Sequence, residues 1–210
     1  MKKSLVFNQK ELSLIEKLNT PRKVQQFIDL LGYNWEKNGE TLRSFRRVLN
    51  EEQGAHCLEA TFVAATILHE HGYPSFVLDM ESKDQLDHCV FVYLDANSGK
   101  YGSIGISREA ELGGRVPRFR TVRDLVMSYY DSYVDETACL KAYTVVDLEK
   151  IPRANWRFSA NNIWKVQNYL CELPHRKLIV SSKRFELAKK AWLEKMHENK
   201  DSPADCQASS

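Results

Sequence analysis

Two residues of this 210-residue chain join reactive side chains to positions that would use them: Cys57 and, further on, His88. Cys57 follows Gly54-Ala55-His56 and opens a run, Leu58 to Leu68, in which almost every residue is apolar or small. Such a run is longer than a typical strand and reads as a helix. A helix N-terminus carries partial positive charge, which favours thiolate over thiol. A cysteine in the first turn is therefore a candidate nucleophile. His88 stands at the start of a later apolar stretch, and a neutral imidazole there can take the thiol proton.

Particular elements must bring the two together. A helix apolar on all sides must be buried, and Gly72-Tyr73-Pro74 supplies its stop. Upstream, Asn8 with Glu11 and then Thr20-Pro21 read as helix starts. Asn38-Gly39 reads as a turn and 41–49 as a third helix, so these segments form a lobe against the Cys57 helix. Beyond Pro74 the pattern becomes strand-like over 75–80 and 88–95. After a turn at Asn97-Ser98-Gly99 it returns over 101–107. His88 is expected to share a strand face with Val90, Val92 and Leu94, and that face to meet the buried helix. Thr121 and Asp124 cap a helix running to about 134. Residues 140–146 suggest an edge strand, and 159–171 and 182–198 further helices. The fold class is α+β: one domain over 1–198, followed by a disordered tail over 199–210.

A third group should orient the imidazole. A hairpin turn centred on Asn97-Ser98 places Ser107 opposite His88, whereas one centred on Ser98-Gly99 places Glu109 there. A hydroxyl accepts the ring N–H more weakly than a carboxylate. Asp87 adjoins His88 but points to the other face.

A cysteine opening a central helix, a histidine opening a later strand and a hairpin return strand together resemble the transglutaminase-like superfamily, of papain-related fold. Ala55-His56-Cys57-Leu58-Glu59, Leu78-Asp79-Met80, Asp87-His88, Tyr101 to Ser107 and Leu125 to Tyr129 resemble, more narrowly, one group of transglutaminase-like proteins. The similarity spans about Thr20 to Leu178. It implies a papain-like architecture and catalysis by Cys, His and usually an Asp on the return strand; here Ser107 stands near that place. The site set is thus Cys57, His88 and Ser107.

Other features carry less. Gln53 lies upstream of the thiol at an offset unlike that of an oxyanion-hole amide. Glu59 suits a cap or an ion pair. Arg115, Arg118, Arg120 and Arg123, with Phe119 between them, read as a solvated basic face. His56-Cys57 and His88-Cys89 would supply four zinc ligands, but neighbours on a strand point oppositely. No metal or cofactor is expected. A net charge of +2 gives no reason to expect nucleic acid. The N-terminus does not read as a signal peptide, no run reaches membrane-spanning length, and five scattered cysteines fit a reduced, cytoplasmic protein.

The chemistry these residues suit is acyl transfer or amide hydrolysis through a thioester. The substrate would be a protein or peptide amide, or a small amide or amine. The alternative is a binding module that keeps the fold without efficient catalysis. Substrate, acceptor and oligomeric state are not encoded in any motif.

Overall fold

The computed structural model describes residues 6–37, 39–135 and 138–201. Its centre is helix α4 (Cys57–His69), in which every side chain from Leu58 to Leu68 is buried. Three shorter helices lie N-terminal to it: α1 (Gln9–Lys17), α2 (Pro21–Leu31) and α3 (Phe45–Asn50). In α1 the Asn8 side chain accepts the Glu11 N–H at 2.9 Å, and the Glu11 carboxylate accepts the Asn8 N–H at 2.8 Å. Thr20 caps α2, with Pro21 in the first turn. Val24, Ile28, Phe45 and Val48 then join Phe62, Val63 and Ile67 of α4 in one apolar cluster.

The sheet has six strands, β1 (Phe76–Ser82), β2 (His88–Asp95), β3 (Lys100–Ile104), β4 (Arg115–Phe119), β5 (Leu140–Asp147) and β6 (Arg176–Lys177). Their order is β4-β3-β2-β1-β5-β6, antiparallel throughout. Helix α4 covers one face and α5 (Val122–Tyr133) the other, while α6 (Trp164–Glu172) and α7 (Ser182–Asp201) complete the chain. No helix among the described residues is long and apolar enough to cross a membrane.

Several expectations change. The face of β2 that meets α4 carries Cys89, Phe91 and Tyr93; Val90 and Val92 pack instead with Leu125 and Tyr129 of α5. All six residues from His88 to Tyr93 are buried, so no polar alternation distinguishes the two sides. Residues 140–147 form an internal strand, paired with β1 on one side and β6 on the other. The third helix starts only at Phe45, because the preceding chain is drawn into extended contact with Glu59 through the Arg43 N–H at 2.7 Å. Residues 159–163 are not helical: the Ser159 hydroxyl accepts the Asn161 N–H, and the Ile163 N–H reaches the Leu42 carbonyl at 2.8 Å. Strand β4 has no counterpart among the expected strands; it carries Pro117 and sits at the sheet edge, where a missing N–H is tolerated. Helix α7 continues through 199–201, residues assigned to the tail, and the rest of that tail lies outside the described residues. So does Asn38 of the proposed Asn38-Gly39 turn.

Candidate active site

The start of α4 is fixed by an exacting turn. Gly54 has φ +72°, and a Cβ there would lie 2.6 Å from the Gly32 carbonyl oxygen. The Ala55 N–H donates to that same carbonyl at 2.9 Å, and the Asn34 N–H donates to the Ala55 carbonyl at 3.2 Å. Beneath the turn lies a fully buried ion pair. Glu59 accepts from Arg43 Nε at 2.8 Å, Arg43 Nη2 at 2.7 Å, Thr41 Oγ1 at 3.0 Å and the His56 N–H at 3.3 Å. Arg43 Nη2 also donates to the Gly54 carbonyl at 2.6 Å. Glu59 is therefore the cap and ion-pair partner that its first-turn position suggested. These contacts leave Cys57 little freedom of placement.

Cys57 is partly exposed and lies on a cleft of about 950 Å³ that also includes Tyr33, His88, Ser107, Leu112 and Tyr133. Its thiol is held well below the ordinary cysteine range. A hydrogen bond from the Cys89 thiol contributes most; burial opposes it, and hydrogen bonds with His56 and His88 add to it. His88 lines the same cleft as the thiol although its strand face is turned towards α5, because it is the first residue of β2, level with the start of α4. Cys89, the next residue, arrives from the α4 side. Adjacent residues thus approach one sulfur from the two faces of a strand.

His88 Nε2 lies 2.7 Å from the Leu112 carbonyl oxygen. A carbonyl only accepts, so Nε2 carries the proton and Nδ1 keeps the lone pair that can receive one from Cys57. The orienting group is therefore a backbone carbonyl. The β2–β3 ladder has the register that centres the turn on Asn97-Ser98, but it ends at Phe91–Ile104. Ser107 lies beyond it, on the cleft, and its hydroxyl accepts the Glu109 N–H at 3.3 Å. Asp87 accepts the Ser82 N–H at 2.8 Å, and Gln53 is exposed outside the cleft lining.

The Leu112 carbonyl is itself braced. Arg115 donates to the Gly113 carbonyl at 2.9 Å and the Glu111 carbonyl at 2.5 Å, with its guanidinium 4.1 Å from the Tyr129 ring centroid. The Arg115 N–H donates to Ser103 Oγ at 3.0 Å, the Ser103 hydroxyl to Tyr129 at 2.7 Å, and the Tyr129 hydroxyl to the Gly113 carbonyl at 3.0 Å. Arg115, read as part of a solvated face, instead locks the loop that aims His88.

His56 is the second imidazole beside the thiol. Burial works against its charge, but the hydrogen bond to Cys57, the charges of Cys57 and Glu59 and the Thr41 carbonyl raise it to about 9. Its Nε2 lies 2.9 Å from that carbonyl. Cys57 therefore has one imidazole beside it at the N-cap, held towards its charged form, and a second, His88, on the same cleft. Only His56, adjacent to Cys57, had a signal in the sequence. Among the described residues no group of three or more His, Cys, Asp or Glu side chains is placed to hold a metal ion.

No curated protein sequence matches the chain. A family model described as Vasohibin matches residues 7–168, which takes in Cys57, His88, Leu112 and the whole sheet except β6. Vasohibins share a transglutaminase-like, cysteine-protease-like fold. The mixed α/β architecture around a helix that begins at a cysteine agrees with that match, and the chain belongs to the vasohibin family.

Proposed function

We propose that this protein is a thiol-dependent acyl-transfer enzyme that opens an amide through a thioester on Cys57. The observation that carries the reading is the meeting, on one cleft, of a thiol whose ionisation is promoted and an imidazole whose Nδ1 is left free by the Leu112 carbonyl. His88 Nδ1 takes the Cys57 proton, and the thiolate adds to the amide carbonyl carbon. The oxygen becomes an oxyanion beside the start of α4, whose first N–H groups have no partner within the helix. Collapse breaks the C–N bond as His88 returns the proton to the departing amine. Water or a second amine, deprotonated by His88, then attacks the thioester and releases the acyl group with Cys57 restored. The substrate in this reading is a protein or peptide amide, and the cleft of about 950 Å³ is where it would lie.

The test uses the full chain and an amide-mimicking electrophile, with labelling read at Cys57 by peptide mass. Wild type should be labelled rapidly at neutral pH and His88→Ala slowly. Ser107→Ala should stay within about threefold of wild type, because the ring is held by a carbonyl and not by that hydroxyl. Equal labelling of wild type and His88→Ala would overturn the dyad and favour a binding module. A Ser107→Ala loss as large as that of His88→Ala would restore the hydroxyl as the orienting group.

A further inference from the structure

Behind Cys57 lies a second chain of polar side chains that the reaction above does not use. Asp79 and Cys89 are cross-strand partners on β1 and β2, on the sheet face turned to α4, and both are buried. The Cys89 thiol donates to Asp79 Oδ1 at 3.3 Å. Asp79 Oδ2 lies 3.1 Å from His175 Nε2, and His175 Nδ1 lies 2.9 Å from the Leu173 carbonyl. Both side chains of this His–Asp pair are almost fully buried, at 8% and 7% exposure. Burying such groups is costly unless they are mutually satisfied, so the trio invites a role.

Counting protons gives one. The Leu173 carbonyl can only accept, so His175 Nδ1 carries a proton, and Nε2 and the Asp79 carboxyl share another. The remaining Asp79 oxygen takes the Cys89 S–H. Yet Cys89 also belongs to the apolar cluster against which Cys57 packs, which brings its thiol beside a sulfur that becomes an acceptor whenever Cys57 is ionised. One thiol proton therefore faces two acceptors. Contact with Cys57, burial and the Asp79 charge all keep Cys89 itself from ionising. Cys89 remains a donor while its neighbour becomes the anion.

We propose that Cys89 is a positioning residue for the nucleophile: its buried S–H donates to the Cys57 thiolate from the strand face opposite His88, while the Asp79–His175 pair holds that thiol in place and competes for its proton. The proposal rests on the acyl-transfer reading and adds a second support to the same sulfur. The titratable groups facing this unit are His56, His88, Tyr33 and Tyr133 around Cys57, and His175, Asp87 and Cys171 around Asp79.

The experiment is the rate of Cys57 alkylation by iodoacetamide against pH, read by peptide mass in the full chain. Cys89→Ala should move the midpoint up by about one pH unit, or about tenfold slower alkylation below both midpoints. Cys89→Ser, which keeps a donor of similar size, should restore most of that loss. Asp79→Asn removes the competing charge and should move the midpoint down. Opposite signs from two touching residues are not what loosened packing gives, since loosening would move both the same way. If Cys89→Ala does not fold, the Cys89→Ser and Asp79→Asn profiles decide, and an upward shift in Asp79→Asn overturns the proposal. A depressed wild-type midpoint that His88→Ala raises and Cys89→Ala does not would overturn the role of Cys89 while leaving the dyad intact. A wild-type midpoint at the ordinary thiol value would remove both.

Discussion

Glu59→Gln is the substitution that most directly probes how the nucleophile is held. Glu59 and Arg43 are both at 0% exposure, and the carboxylate accepts from three Arg43 donors, the Thr41 hydroxyl and the His56 N–H. Glutamine keeps the volume but replaces one acceptor oxygen with an NH₂ that must point at a donor, and it removes the guanidinium's buried, hydrogen-bonded counter-charge, leaving only the partly exposed Glu51. Arg43 Nη1 has no hydrogen bond to fall back on, and Glu51 is 3.8 Å away. Removing one partner of a buried pair typically costs about 3–5 kcal/mol. Against a usual total of about 5–15 kcal/mol the protein should still fold in buffer. With a urea slope of about 1–3 kcal/mol per molar, its midpoint should fall by roughly 2 M. The sign of the pH dependence also follows. Burial alone would raise the Glu59 carboxyl, but the Arg43 hydrogen bonds and the His56 charge outweigh it, so the carboxyl sits below its ordinary value of 4.5. That contribution is complete above the unfolded value and is lost as pH falls through the folded one, so the stability difference between wild type and Glu59→Gln should begin to shrink below about pH 4.5 and go on shrinking as pH falls further. Chemical denaturation at pH 7 and at pH 4 measures both. A loss under about 1 kcal/mol at pH 7, or a difference that does not shrink in acid, would refute the reasoning.

Two further outcomes are expected. Gly54→Ala should cost at least about 1–3 kcal/mol in thermal or urea melts and slow Cys57 labelling, because its Cβ would meet the Gly32 carbonyl and its φ of +72° is unfavourable for alanine; a variant with wild-type stability would mean that the turn is not held as described. His56 should titrate at about 9 by NMR and fall towards 6.5 in Cys57→Ala, since the thiolate is a main support of its charge; a wild-type midpoint near 6.5 would remove the imidazolium from beside the sulfur.

What could be read from the sequence was whatever local chemistry decides. The caps at Asn8, Thr20 and Thr121, the all-round apolar α4 and the hairpin over 88–104 each rest on residues within one or two turns of one another. The face of β2 was misread because both sides of a doubly covered strand are apolar, so the pattern that usually sets orientation is missing. The third group was misread for a different reason. A search for a side chain to orient His88 finds Ser107, whereas the group that does so is the main chain of Leu112, which any residue at that position would supply. Arg115 was invisible in the same way: its value lies in binding the carbonyls on either side of Leu112, and only the folded loop brings those within reach.

The misread face bears on the chemistry itself. Had the His88 face met α4, Cys89 would point away and the nucleophile would have one support. With the faces as they are, α4 meets Cys89 directly and His88 comes around the end of the strand, so two consecutive residues converge on the Cys57 sulfur. That convergence needs β2 to begin level with the start of α4, and β3 to stop at Ile104 so that His88, paired with Met80 of β1 on one side, has no strand among the described residues on the other. The loop over 105–114 then returns across the opening, where the Leu112 carbonyl takes up the ring N–H. Gly105 permits its departure: a Cβ there would lie 2.6 Å from Val90 Cγ1, in the layer beneath His88. The end of one ladder, the start of the next strand and a single glycine thus set where the imidazole stands. Substitutions at Gly105 should accordingly disturb His88 before they disturb the core, and the labelling rate of Cys57 would register that displacement earlier than a melting temperature.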